Sequence, residues 1–316
     1  MEPIVLKMAV TYSQNHPSGI ADLAWIEKTE KETGGRVKIE PYWGGALAKL
    51  DQAYTEVANG VVDIAEIQAT YVKEGFDIDK AMRIFFWNVS DAKLARRIYN
   101  ELRSKFPEID AEFSGVKVLE RNSLPPYQLL MAKKPVRKIQ DFKGVTLKAS
   151  GDHPKIVTAL GGDAASIPMG ETYIAMEKGT VDGCIAPLET LDSFKFYEVV
   201  KYVTLLNLGS ACEPHRAMNL ETWNRLPDDV KGVLEENIEW WGEKCDEELA
   251  RVDQAGLDLA KQHGIELIEL SGDELAKFQE VVDELAREQA AKLDAKGLPG
   301  TAIYEEVQRL VKEYGK

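Results

Sequence analysis

The sequence predicts an α/β protein built as two similar lobes with a ligand cleft between them, and three observations carry that expectation. At 316 residues the chain exceeds a comfortable single hydrophobic core. Its opening alternates strand and helix patterns in the order βαβαβ, which implies an open sheet with ligands near the carboxyl ends of its strands. A G-x-V-D signature then occurs twice, at Gly60-Val61-Val62-Asp63 and Gly179-Thr180-Val181-Asp182, each after a helix pattern and before a strand pattern. A glycine cap ahead of a strand is a common turn. Here the same train of signals (βαβ, Gly-Gly turn, helix) precedes both copies, which favours an internal repeat of one α/β unit.

The elements follow in order. Residues 4–11 alternate as a strand, 12–19 form a loop, and 20–33 a helix that Gly34-Gly35 stops. A strand over 36–40 leads through Trp43-Gly44-Gly45 to a helix over 50–58, capped by Gly60 and followed by a strand from Val61. Further strands are predicted at 116–120 and 128–132, and a turn at Asp141 feeds a short strand to Lys148. Helices over 154–160 and 171–178 end at Gly161-Gly162 and Gly179. Beyond about Tyr202 the chain turns helical and charge-rich. Leu226-Pro227-Asp228-Asp229 starts a helix with apolar residues at Val230, Val233, Leu234, Ile238, Trp241, Cys245 and Leu249. A strand over 265–270 precedes two more amphipathic helices. The expected division is lobe I at 1–124, lobe II at 125–215, and a helical bracing tail at 216–316 with one strand returning to the lobes.

Composition narrows the function. The 53 acidic and 39 basic residues give a net charge of -14, which argues against nucleic acid or an anionic membrane surface as partner. No run of 18 apolar residues occurs, so no transmembrane helix is expected. No leader precedes the strand pattern at Ile4, which fits either a cytoplasmic protein or a mature exported one. The cysteines Cys184, Cys212 and Cys245 are odd in number and lack a CxxC, which speaks against a disulfide framework and leaves room for one pair.

Catalytic chemistry finds no foothold. Four histidines, with Cys212-Glu213-Pro214-His215 as the nearest approach to a motif, do not make a metal site. There is no G-x-S-x-G, and the pairs Gly44-Gly45 and Gly161-Gly162 match neither a P-loop nor G-x-G-x-x-G. No cofactor is expected. A small-molecule enzyme on a two-lobed α/β frame remains the rival to a non-catalytic binding protein.

The residues then show a resemblance. Asp141-Phe142-Lys143-Gly144-Val145-Thr146-Leu147-Lys148 resembles the "DLKGLKIR" stretch of the solute-binding proteins of TRAP transporters, the dicarboxylate-binding P-subunit family. The segment from Pro168 to Gly183 is similar to its "P-x-x-E-x-Y-x-A-L-x-x-G-x-V-D-G", and Phe196-Tyr197-Glu198-Val199-Val200-Lys201-Tyr202 to "KFYEVQKY". Thr33-Gly34-Gly35-Arg36-Val37 and Gly44-Gly45-Ala46-Leu47 resemble "TGGRV" and "GGQLG". The likeness runs in register from about Leu6 to Pro227. It implies a periplasmic-binding-protein-like fold (type II-like) with a long bracing helix, and a monomeric exported receptor that delivers a small organic solute to a membrane permease. That favours the mature exported reading, with the leader absent from this sequence.

The chain departs from the family at its anion contacts. The arginine that ends "KIR" is replaced by Lys148, a second family arginine aligns with Tyr127, and a family asparagine with Ala186. Arginine offers a planar fork of donors and lysine a point charge. Losing one charge-assisted hydrogen bond costs about 1.5–3 kcal/mol, or one to two decades in affinity. Two readings stay open: Lys148 still contacts a carboxylate, or the ligand is an amine, a zwitterion or a largely neutral aromatic molecule. Strand-end positions and the family alignment give the candidate contacts Gln14, His16, Glu66, Gln68, Trp87, Tyr127, Lys148, Glu171 and Asn207. Glu66 would accept an ammonium group, and Trp87 and Tyr127 would stack on a ring or a cation. Glu171 is either a ligand contact or an ordinary helix N-terminal charge.

Overall fold

The computed structural model describes residues 2–86, 89, 91–150, 153–209 and 212–314. In chain order its elements are β1 (Ile4–Ala9), α1 (Pro17–Glu32), β2 (Val37–Tyr42), α2 (Ala53–Ala58), β3 (Ile64–Ile67), α3 (Asp77–Phe85), α4 (Ala92–Lys105), α5 (Glu108–Ala111), β4 (Val116–Ser123) and β5 (Tyr127–Met131). They continue with β6 (Thr146–Lys148), α6 (His153–Ala159), β7 (Asp163–Ala165), α7 (Met169–Lys178), β8 (Gly183–Ala186), α8 (Thr190–Ser193), β9 (Tyr202–Leu208) and β10 (Cys212–Asn219). The last are α9 (Leu220–Arg225), α10 (Asp228–Gln262), β11 (Glu266–Glu269), α11 (Gly272–Asp294) and α12 (Gly300–Tyr314).

Two compact units share these elements. Unit 1 comprises residues 1–80, 92–124 and 211–249, and unit 2 residues 81–91, 125–210 and 250–316. The boundary expected at 124/125 lies where the chain leaves unit 1. The interval 216–316, expected as a separate tail, is divided instead. Its first part belongs to unit 1 because β10 inserts between β3 and β4, and its last part to unit 2 because β11 pairs with β9.

Unit 1 has a five-stranded sheet in the order β2-β1-β3-β10-β4, and β10 alone runs against its neighbours. One face is filled by Leu6, Met8, Trp25, Ile64, Met218 and the α10 residues Val230, Leu234, Trp241 and Cys245. Those α10 residues fall at helical spacing, which is why the apolar stripe was legible in the sequence. Trp25 and Trp241 stack at 3.8 Å and 10°. Beneath them lies a buried charge cluster. Arg216 donates to Asp22 at 2.9 Å and to Asn122 at 3.3 Å, with Glu120 at 3.7 Å, and Trp241 Nε1 donates to the other oxygen of Asp22 at 3.1 Å. Burial pushes the Glu120 carboxyl up to about 8 even with Arg216 beside it.

Unit 2 has a six-stranded sheet, β11-β9-β5-β8-β6-β7, in which β5 alone runs against its neighbours. Its two faces bury Leu129, Phe142, Leu147, Ile185 and Phe278 on one side, and Leu130, Cys184, Leu191, Phe196 and Ala260 on the other. Gly256 lets α10 approach the chain closely, because a Cβ there would sit 2.3 Å from the Leu188 carbonyl oxygen. Cys184 and Cys245 are buried free thiols; the side chain of Cys212 lies outside the described part of the structure.

The repeated G-x-V-D signature has one geometry in both units. Gly60 and Gly179 each take φ +73°, where a side chain would be strained, and the following valines Val62 and Val181 are buried. Asp63 exchanges two bonds with Lys7: its carboxylate accepts the Lys7 N–H at 2.9 Å and its own N–H donates to the Lys7 carbonyl at 3.1 Å. Asp182 does the same with Thr146, at 2.9 and 2.7 Å. In each unit the aspartate therefore clamps the strand it begins against the first strand of its βαβ unit. Replacing Asp182 by Ala strips the Thr146 N–H of its acceptor. We expect a loss of about 1–3 kcal/mol in urea unfolding, with Asp182→Asn, which keeps an acceptor oxygen, losing less. Equal stability of Asp182→Ala and wild type would show that the clamp is dispensable.

Candidate functional site

The clamp fixes which residues meet at the carboxyl edge of each sheet. In unit 2, Leu147 pairs with Gly183 and Lys148 with Cys184, so β6 ends at Lys148 and β8 two residues beyond its partner at Ala186. The antiparallel β5 starts at this same edge, with Tyr127 opposite Leu208 and Gln128 opposite Ala186. Lys148, Tyr127 and Asn207, three of the sequence-derived candidates, therefore stand together where an open α/β sheet holds its ligands.

Lys148 is buried, at 3 % exposure. Its Nζ lies 3.5 Å from Ser150 Oγ, and among the described residues no carboxylate comes within ion-pair distance. Burial pushes its pKa down, with Cys184 opposing, while burial pushes the Cys184 thiol up to about 12. His153, which opens α6 after β6, is also buried, and its ring centroid lies 4.7 Å from that of Tyr127, tilted by 57°. Burial, and then the charges of Arg83 and Lys148, lower its pKa to about 3, so the imidazole is neutral. Sequence reasoning missed His153, Ser150 and Arg83. The first two had a usable signal: both lie just past the carboxyl end of the strand that ends at Lys148.

Asn207 is engaged inside the protein. Its backbone sits at φ +48°, its Oδ1 accepts from Gln128 Nε2 at 2.9 Å, and Gln128 Oε1 accepts the N–H groups of Leu206 and Asn207 at 2.8 and 3.0 Å. Glu171 is exposed in the first turn of α7. Trp87 lies outside the described residues.

In unit 1 the corresponding edge gathers the loop after β1 and the end of β3. Glu66 is buried; its carboxylate accepts Thr11 N–H at 2.9 Å, Thr11 Oγ1 at 2.7 Å and Gln68 Nε2 at 2.9 Å. Gln68 Nε2 also reaches the Tyr12 hydroxyl at 3.0 Å. His16 caps α1 by accepting the Ser18 N–H at 3.2 Å, and stacks on Tyr12 at 3.9 Å and 5°. Burial and then the charge of Arg216 lower its pKa to about 4. Glu66, expected to receive an ammonium group, meets N–H and O–H donors of its own chain from Thr11 and Gln68. Gln14 is exposed on that loop.

Two α/β units thus each present loops at the carboxyl ends of a mostly parallel sheet, where open α/β sheets hold their ligands. The family comparison makes this specific: the model for bacterial extracellular solute-binding proteins of family 7 matches residues 8–293, and the chain belongs to that family. The C4-dicarboxylate-binding periplasmic protein DctP of Rhodobacter capsulatus is 24% identical over 309 residues, spanning 93% of this chain and 89% of that protein. A TRAP periplasmic solute-binding protein from Desulfovibrio salexigens superposes with a TM-score of 0.88 at 27% identity, covering 99% of this chain and 97% of that one. One from Bordetella bronchiseptica, solved with bound (R)- and (S)-mandelate, gives a TM-score of 0.83 at 22% identity and covers 98% and 99%.

A buried ammonium with no counter-ion among the described residues has a measurable signature. Because the folded pKa of Lys148 is depressed, the unfolded chain binds the extra proton between the two pKa values. The stability of the unliganded protein should therefore rise as pH climbs through that window, and the full cost is present below the folded pKa. Lys148→Met should remove this rise and unfold about 0.5–2 kcal/mol later at pH 7 when ligand has been stripped. A Met variant less stable than wild type at pH 7 would mean that Lys148 is compensated within the chain.

Proposed function

We propose that this protein captures a small organic acid by its carboxylate on the ammonium of Lys148 and presents it, chemically unchanged, to the membrane subunits of a TRAP-type secondary transporter. It acts outside the cytoplasm and as a monomer. The observation that carries this reading is Lys148 itself: a buried cation at a strand's carboxyl end, with no described carboxylate in ion-pair range. Isolated buried charge is costly, and a ligand carboxylate offsets that cost in the bound state. Membership of the solute-binding family supports the receptor role, and the names of its relatives, from C4-dicarboxylate to mandelate binders, support an organic acid. The reading with an amine ligand loses its main support because Glu66 is occupied by Thr11 and Gln68.

Titration calorimetry against a panel of carboxylates tests this. Lys148→Ala should weaken the best binder by about one to two decades, the worth of a charge-assisted contact. Lys148→Arg, which restores a fork of donors, should keep most of the affinity if the space admits a guanidinium. Wild-type affinity in the alanine variant would remove Lys148 from the contact, and recovery of an altered ligand after incubation would make the protein an enzyme.

A further inference from the structure

We infer that unit 1 carries a second binding site, for a small oxyanion of the phosphate or sulfate class, in a cavity framed by α4, β4 and α10. The space measures about 230 Å³, and its polar lining is Arg96, Asn100, Arg103 and Ser104 of α4, Arg121 of β4 and Glu239 of α10. All of these residues belong to unit 1. Pockets for drug-sized molecules run to roughly 300–1,000 Å³, so the occupant here is smaller. The four α4 residues recur three and four positions apart, which puts them on one face of the helix. Gly242 lets α10 close on that face: a Cβ there would lie 3.2 Å from Arg96 Nη1 and 3.2 Å from the Arg121 carbonyl oxygen.

In a chain of net charge -14 this lining is cationic, with three guanidinium groups against the single carboxylate of Glu239. Arg96 donates from Nε to Asp246 at 2.7 Å and from Nη1 to Glu239. Arg103 grips Asp110 through Nε and Nη2, at 2.5 and 2.7 Å, and Arg121 shares that carboxylate through Nη2 at 2.9 Å. The Arg121 side chain is only 10 % exposed, yet its Nε is buried with no hydrogen-bond partner among the described residues. A buried donor left without an acceptor is costly, and a tetrahedral oxyanion brings several acceptors that match the forks of guanidinium groups. Glu239, at 63 % side-chain exposure, has solvent to swing into as the anion takes its place on Arg96.

The test is titration calorimetry on the full chain with inorganic phosphate and with sulfate, the ionic strength being held constant with sodium chloride so that general screening does not vary. Both anions should bind with dissociation constants below about 1 mM. Two nearly isosteric changes should then move phosphate affinity in opposite directions. Asn100→Asp adds a carboxylate to the lining and should weaken phosphate about tenfold or more, whereas Glu239→Gln removes the competing one and should tighten it about threefold or more. Arg121→Gln should weaken phosphate about tenfold or more. The isosteric pair keeps the test decisive if that variant fails to fold, and a purely structural role for these ion pairs predicts no change in phosphate affinity from either member. Absence of phosphate and sulfate binding at about 10 mM would overturn the site. So would phosphate affinity that is unchanged in Asn100→Asp or in a folded Arg121→Gln, or that is unchanged or weaker in Glu239→Gln.

Discussion

Everything at the ligand edge of unit 2 depends on one backbone contact, the acceptance of the Thr146 N–H by the Asp182 carboxylate at 2.9 Å. A parallel pair of strands joined by a helical crossover has no tight turn to set its register. Here Gly179, left-handed at the end of α7, turns the chain, and Asp182 then meets Thr146 through both its side chain and its N–H. That places Gly183 beside Leu147 and Cys184 beside Lys148. A slip of one residue would turn Lys148 to the opposite face of the sheet. Unit 1 uses the same device, Asp63 on Lys7, to set Ile64 beside Met8.

The two units share this frame and treat buried charge in opposite ways. In unit 1, Arg216 is held by Asp22, Asn122 and Glu120, and the Glu66 carboxylate receives three donors from Thr11 and Gln68. A buried pair of that kind adds little net stability, but removing one member leaves the other exposed to the full desolvation cost. It therefore specifies β10 in its central place. In unit 2, Lys148 meets a hydroxyl at 3.5 Å and, among the described residues, no carboxylate within ion-pair distance, while burial and nearby charge press the His153 imidazole toward neutrality. The unit 1 cluster is satisfied within the chain, whereas Lys148 is paired with no described carboxylate.

What the sequence made legible follows from locality. The glycine caps, the G-x-V-D turns, the apolar stripe of α10 and the strand ending at Lys148 are local patterns, and the elements they announce lie within a few residues of where they were expected. Strand β10 was hidden because a buried strand normally reads as apolar, whereas Glu213, His215 and Arg216 are polar residues whose partners lie far away in the chain. The same distance effect hid the division of 216–316 between the units. The candidates Lys148 and Tyr127, named from the family alignment and from strand-end positions, stand at the carboxyl edge of the unit 2 sheet. The three donors that Glu66 meets within the chain could not be read from spacing. His153 carried only a positional signal, just past the strand that ends at Lys148, and its ring partner Tyr127 lies elsewhere in the sequence.

A lysine in place of a guanidinium also changes where selectivity resides. A planar fork fixes the direction of a carboxylate and so reads part of the ligand by itself, whereas an ammonium attracts any carboxylate from a range of angles. Orientation must then come from whatever surfaces stand beside the cation; at this edge of unit 2, Tyr127 opens β5, His153 opens α6 and Ala186 ends β8. These residues sit at strand and helix starts or ends, outside the clamp that fixes the register, so they can change without disturbing it. A frame held by backbone contacts and a ligand edge held by side chains are thus separable. That separation fits a fold shared at 22–27% identity, in which the architecture persists while most side chains differ.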